Sequence, residues 1–258
     1  MKIIDLSVSI VDNLPVDPPA QVAHIQYVKH GSDMSIATTL QSFPGITRDD
    51  LLEGYGWAVD LLTLGSHTGT HMDAPYHYHP TMNHGERAWT IDEIPLEWCI
   101  GNGVVLDFAD KPDGYVLTSA DIQDYLKKIN YTLKPGDIVL LHTSAMEAWG
   151  TPEYMLRGCG VGREGTLWLC QQGIRLVGTD AWSWDAPLPL VAKEFAKTHD
   201  RSIIWEGHKA GAECGYCHME KLNNLDQLPP AGFTFIAFPI KIEHGTAGWI
   251  RPVAILPE

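Results

Sequence analysis

Eight apolar or alternating runs along the chain have the length and residue content of strands: Ile3–Ile10, Ala58–Leu64, Val104–Phe108, Ile138–His142, Leu176–Thr179, Ser202–Trp205, Phe233–Phe238 and Gly248–Leu256. Several are nearly continuous in Val, Ile and Leu, as strands covered on both faces are. Pro135-Gly136-Asp137 is a turn that launches one of them. The clearest helix follows Thr118-Ser119, with Ser119 as its cap and Ile122, Tyr125, Leu126 and Ile129 at helical spacing. Weaker helical stretches are predicted at Glu164–Gln172, Pro189–Lys197 and Met219–Leu228, and long loops at Leu14–Ala20 and Thr38–Asp50. Strands alternating with helices, with no linker and no internal repeat, predict one α/β domain over residues 1–258, with a mixed β-sheet core flanked by helices.

Composition narrows the partners. The 258 residues carry 18 Lys plus Arg against 32 Asp plus Glu, a net charge of −14 that repels phosphate backbones, so nucleic acid is not an expected partner. No run of 18 apolar residues occurs, so no membrane span is expected. Asp5 interrupts the apolar N-terminus, no signal peptide is visible, and a cytoplasmic location is expected. The five cysteines are then reduced thiols by default. A chain this long buries roughly 70–75% of its unfolded surface and needs no metal merely to fold, so a metal here is expected to serve chemistry.

The chemistry concentrates in Ser66-His67-Thr68-Gly69-Thr70-His71-Met72-Asp73-Ala74-Pro75-Tyr76-His77-Tyr78-His79, with four histidines and one aspartate in fourteen residues. Imidazole and carboxylate suit Zn, Mn or Fe. An extended chain would hold His67 and His71 roughly 13 Å apart, too far for one ion. A helix would align them but turn Asp73 away, and Gly69 and Pro75 disfavour it. The chain is therefore expected to curl at Gly69 and bend again at Pro75. His67, His71 and Asp73 would leave open positions on an ion, as a catalytic site requires. His79 and His84 are expected to be ordinary surface residues.

His67-Thr68-Gly69-Thr70-His71-Met72-Asp73-Ala74-Pro75-Tyr76-His77 resembles the H-x-G-T-H-x-D-A-P-x-H signature of the cyclase family of metal-dependent hydrolases, which has isatin hydrolase and kynurenine formamidase branches. Gly178-Thr179-Asp180-Ala181-Trp182-Ser183-Trp184-Asp185 is similar to a further family element, and the Trp182 and Trp184 positions look closer to the isatin branch. Gly232-Phe233…Ala237-Phe238-Pro239-Ile240-Lys241-Ile242 resembles the family's closing strand. The resemblance implies a swivelling β/β/α cyclase-like fold and a metal on His67, His71 and Asp73. It implies His77 as acid/base, with His208 and Glu220 completing the site on a second metal or on substrate. It further implies Mn²⁺ as first choice of metal with Zn²⁺ as alternative, a small aromatic amide substrate, and a homo-oligomer. A cyclic amide such as isatin is the first substrate expected, with N-formylkynurenine as the alternative; a non-catalytic binding protein is a further alternative.

Other motifs are weaker. Cys214-Gly215-Tyr216-Cys217-His218 fits the C-x-x-C-H pattern of haem attachment, but ordinary thiols are expected there. Asp180 is either a turn-former or a group orienting a ligand. His142, at a strand end, is expected to be a satisfied core histidine. Trp57, Trp182 and Trp184 are candidates for an aromatic pocket wall.

Overall fold

The computed structural model describes residues 1–257. One nine-stranded sheet organises the chain, in the order Lys2–Asp5, Val253–Leu256, Ala231–Ile236, Ile100–Asp107, Ile138–His142, Leu176–Thr179, Cys217–Glu220, His71–Asp73 and Ala247–Trp249. The four strands from Ile100–Asp107 to Cys217–Glu220 run parallel, and antiparallel strands extend the sheet on both sides. Alternation divides the central strands between two cores. Val105, Ile138, Leu140 and Leu176 enter one, and Val104, Leu106, Val139, Leu141 and Val177 the other.

The sheet curls strongly, and chain length requires it. Ala247–Trp249 lies at one edge and Val253–Leu256 next to the other. A flat sheet would hold these strands roughly 34 Å apart, at about 4.8 Å per strand. The four steps from Trp249 to Val253 reach at most roughly 14 Å. Bonds from Ile250 N to Thr70 O (3.2 Å) and from Leu6 N to Pro252 O (2.9 Å) tie this crossover to both sides.

Helices Ser119–Lys128 and Arg163–Gln171 make the crossovers between parallel strands. The first is capped one residue earlier than expected. Thr118 accepts from Asp121 N, and the Asp121 carboxylate accepts from Thr118 N. Its Ile122 and Leu126 are buried, each worth about 1.5–3 kcal/mol. The predicted helix at Pro189–Lys197 forms as Leu188–Thr198.

Several expectations are corrected. Ser202–Trp205 is not a strand: the Asp200 side chain caps a 3-10 turn at Arg201–Ile203, and Trp205 is left-handed (φ 55°). Met219–Leu228 is not a helix, because Cys217–Glu220 is drawn into the sheet between Leu176–Thr179 and His71–Asp73. Helix Asp33–Ser42, capped by Ser32, occupies the start of the expected loop at Thr38–Asp50. Pro252 follows the break that splits Gly248–Leu256 into two strands. Val59–Thr63 pairs with His24–Val28 in a separate two-stranded ribbon, exposed along its whole length rather than covered. Among the described residues no helix is long and apolar enough to cross a membrane.

Candidate metal centre

Period-two geometry builds the floor of the site. On strand His71–Asp73, Met72 enters the core while His71 and Asp73 point to the opposite face. On Cys217–Glu220, Cys217 and Met219 enter the same core, leaving His218 and Glu220 on the other face. The antiparallel register sets His218 opposite Asp73 and Glu220 opposite His71, so two imidazoles and two carboxylates meet across one strand pair.

Three further imidazoles arrive from outside the sheet. Gly69 adopts φ 66°, the curl expected between His67 and His71, and a Cβ there would come within 3.2 Å of Ile10. Pro75 opens the one-turn helix Pro75–Tyr78, which carries His77. His208 comes from the short helix Glu206–Lys209.

All of them converge on two carboxylates. Asp73 Oδ1 lies 2.8 Å from His67 Nδ1 and 3.2 Å from His71 Nε2. Asp73 Oδ2 lies 3.1 Å from His218 Nε2, 3.6 Å from His77 Nε2 and 3.9 Å from His208 Nε2. Glu220 Oε2 is 3.5 Å from His71 Nε2, and its Oε1 is 3.1 Å from His218 and 3.9 Å from His208. Each carboxylate thus offers one oxygen to the His71 side and one to the His208–His218 side.

The second nitrogens of three rings are already committed. His71 Nδ1 lies 2.9 Å from Gly69 O, which can only accept, so this nitrogen carries the proton and Nε2 is a free lone pair. His208 Nδ1 bonds Asp185, whose carboxylate also accepts from the Gly207 and His208 amides. Tyr216 donates to Gly207 O at 2.8 Å, leaving its oxygen to accept from His218 Nδ1 at 3.4 Å. All three rings therefore aim Nε2 at the carboxylates, the arrangement typical of metal-bound histidine.

Four buried atoms at this centre have no hydrogen-bond partner among the described residues: His71 Nε2, both Asp73 oxygens and His218 Nε2. Buried polar atoms without partners cost about 1–3 kcal/mol each. Divalent cations would satisfy such atoms, and two groups of donors lie close enough to hold one, Asp73 with His208, His218 and Glu220, and Asp73 with His67 and His77, so the residues fit a metal. In the metal-free chain protons substitute in part. Burial opposes a charge on His218, yet Asp73 and Glu220 hold its pKa at about 9. Burial alone would raise Asp73, but His71, His218 and His67 keep it well below the usual carboxylate value. Burial lowers His77 to about 4, against the upward pull of Asp73.

The residues expected from sequence, His67, His71, Asp73, His77, His208 and Glu220, all gather here. His218 was not among them. Its signal was the alternation Cys217-His218-Met219-Glu220, which sends every second residue into the core. Trp182 and Trp205 line the cleft above the centre, and Trp205 stacks on His208 at 4.4 Å. Of the other expected wall residues, Trp184 is buried with Nε1 donating to Thr166, and Trp57 lies by the ribbon. Asp180 ties two strand ends together by accepting from Thr143 N and Oγ1. His142 pairs with Asp107 at 3.0 Å. The five cysteines are free, with Cys217 in the core. His79 is exposed, and so is His84.

Comparisons with known proteins find similar chains. A kynurenine formamidase of Erythrobacter litoralis is 29% identical over 206 residues, covering 80% of each chain. An isatin hydrolase of Roseibium aggregatum is 25% identical over 223 residues, covering 80% of this chain and 78% of the relative. A solved isatin hydrolase bound to the product analogue thioisatinate superposes with TM-score 0.77 at 21% identity, over 100% of this chain and 93% of that one. Isatin hydrolase A from Ralstonia solanacearum gives TM-score 0.78 at 21% identity, over 99% and 92%. The sequence profile of the Cyclase family matches residues 4–186, most of the chain and the whole segment from His67 to His77; the chain belongs to the Cyclase family.

Proposed function

We propose that this chain is a metal-dependent hydrolase that opens an aryl-linked amide, a cyclic amide such as isatin being the first substrate class. One observation carries it: the buried, partnerless Nε2 atoms of His71 and His218 and both Asp73 oxygens lie against His67, His77, His208 and Glu220, which line a cleft with Trp182 and Trp205. The residues that would hold metal are His67, His71 and Asp73, with His208 and Glu220 on its deeper side. Mn²⁺ is the first choice and Zn²⁺ the alternative. A divalent ion supplies Lewis-acid activation of water and of the amide carbonyl near neutral pH.

The chain's own groups do the rest. His67 and His77 are the partly open members, with side chains 30% and 24% exposed, and they mark the face that substrate reaches. Burial keeps His77 neutral at pH 7, so one of its ring nitrogens can accept a proton from the attacking water. The protonated ring then returns that proton to the departing nitrogen, without which an amide nitrogen leaves poorly. Asp185 holds the His208 ring in place through Nδ1. The indoles of Trp182 and Trp205 line the cleft and suit contact with an aryl group.

An arylformamidase acting on N-formylkynurenine is the second reading, supported by the 29% identity to a formamidase over four-fifths of the chain. Turnover by Mn- and Zn-loaded protein is measured on isatin, N-formylkynurenine and simple lactams. Isatin is expected to be opened fastest. Activity on formylkynurenine alone selects the second reading, and absence of metal after loading removes the proposal. His71→Ala is expected to lose metal while keeping the fold.

The assembly is proposed as a homo-oligomer of one-domain subunits in the cytoplasm. The pairing of Lys2–Asp5 with Val253–Leu256 in the nine-stranded sheet supports the one-domain reading. The ribbon exposes Tyr27, Val59, Leu61 and Leu62, an apolar surface suited to a second copy.

A further inference from the structure

We infer that His218 is a protein ligand in a closed inner metal site formed with Asp73 Oδ2, Glu220 Oε1 and His208 Nε2. This site holds a tetrahedral, slowly exchanging ion distinct from the one beside His67. The inference rests on the proposed metal centre and adds a residue and a division of labour to it.

The distances carry it. Four ligands at about 2.0–2.1 Å around a tetrahedral ion lie roughly 3.3–3.4 Å from one another. The nitrogen–oxygen separations here are 3.1 and 3.1 Å from His218 and 3.9 and 3.9 Å from His208, which bracket that edge. The four donor atoms all lie within 4.8 Å of one another, and all four residues are buried.

The simpler account makes His218 an imidazolium bonded to two carboxylates. That is the metal-free state, in which a proton stands where an ion would; Nε2 sits 3.1 Å from both oxygens without being aligned for a hydrogen bond to either, and a cation fits the same position. His218 is fully buried, and its Nδ1 proton is directed to Tyr216, leaving an Nε2 lone pair aimed into the site. The other oxygens of the two carboxylates, Asp73 Oδ1 and Glu220 Oε2, face His71, so both carboxylates stand between the inner and the outer side.

The two sides differ in access. His208, His218, Asp73 and Glu220 leave no position free on a four-coordinate ion, the mark of a structural site. On the other side His67 is partly exposed, so open positions and exchange belong there. His77 lies with His67 and Asp73 on that outer side and takes no part in the inner set.

The test loads metal-free protein with Co²⁺, whose visible absorption is intense when tetrahedral and weak when six-coordinate, and counts ions by elemental analysis. Two ions per chain are expected. A brief chelator wash should remove one and leave the intense absorption. His218→Leu should hold one ion and lose that absorption, with affinity for the second ion down by about 100-fold or more. His218→Gln is measured beside it, since it keeps a polar side chain if the leucine variant does not fold. One ion in the unmodified protein, or two in both variants with absorption intact, overturns the inference but leaves the metal centre standing. No ion at all overturns both.

Discussion

The buried ion pair under the cleft gives a prediction whose size follows from the structure. Lys221 Nζ bonds the Asp17 carboxylate, with side chains only 2% and 4% exposed, and donates to His67 O at 3.0 Å. Asp17 also accepts from Trp182 Nε1 at 2.8 Å. This pair pins the N-terminal segment beside an indole of the cleft and steadies the backbone of His67, a proposed metal ligand. Lys221→Met keeps the length of the side chain but leaves a buried carboxylate without a counter-charge, at a cost of about 3–5 kcal/mol. Asp17→Asn leaves the ammonium uncompensated and should cost a similar amount. In the double variant no charge remains, and the carboxamide oxygen that replaces the Asp17 carboxylate can still accept from Trp182. Only the His67 carbonyl is orphaned, for about 1–3 kcal/mol.

The singles are therefore expected to be strongly non-additive, with a coupling of at least about 3 kcal/mol. At roughly 2–4 °C per kcal/mol for a chain of this size, Lys221→Met should melt about 6–20 °C below the parent. Urea unfolding of metal-free protein, followed by tryptophan fluorescence and circular dichroism, gives all four free energies. A Lys221→Met variant within 1 kcal/mol of the parent, or additive singles, would refute the argument that this pair is energetically buried.

Three further outcomes are expected. His77→Ala should keep its metal while turnover falls by about 10²–10⁴-fold; metal loss would make His77 a ligand instead. Asp180 is pushed up to about 8 by burial, against 3.8 ordinarily, so the unfolded chain loses this proton first and ionisation destabilises the fold as pH rises from about 4 to 8. Asp180→Asn can still accept from Thr143, so its stability relative to the parent should improve across that window in urea titrations, and a flat difference would contradict the assignment. The Cys214 thiol, held at about 7 by its contact with Cys170, against burial, and by Arg175 at 3.4 Å, should be alkylated first at pH 7.5. Mass spectrometry showing Cys99 or Cys217 modified earlier would reverse that ranking.

Much of the architecture was legible because the signals were local. Ile138–His142 and Leu176–Thr179 form as predicted, since short runs led by Ile, Val and Leu have few other ways to be buried. The helix after Thr118 carries its own cap and apolar stripe. The curl at Gly69 followed from ligand spacing and backbone sterics alone, and the left-handed φ there agrees. Failures came where tertiary partners outweighed local pattern. Val59–Thr63 has the composition of a covered strand yet lies in an exposed ribbon, and Ser202–Trp205 yields to the cap made by Asp200.

His218 shows how one misread period conceals a site. Read at helical spacing, residues 219–228 place Met219, Leu222 and Leu225 on one stripe, and His218 falls outside it as the tail of a C-x-x-C-H match. Read at period two, Cys217 and Met219 face one way and His218 and Glu220 the other, pairing across the register with Asp73 and His71. Only one of these periods is compatible with the sheet, because Leu176–Thr179 and His71–Asp73 both need a strand between them to satisfy their backbone groups. Backbone pairing of the neighbouring strands therefore decides the conformation of 217–220. That conformation in turn delivers a third buried imidazole to the carboxylates. The proposed ligand set is a product of sheet topology as much as of the motif at 67–77.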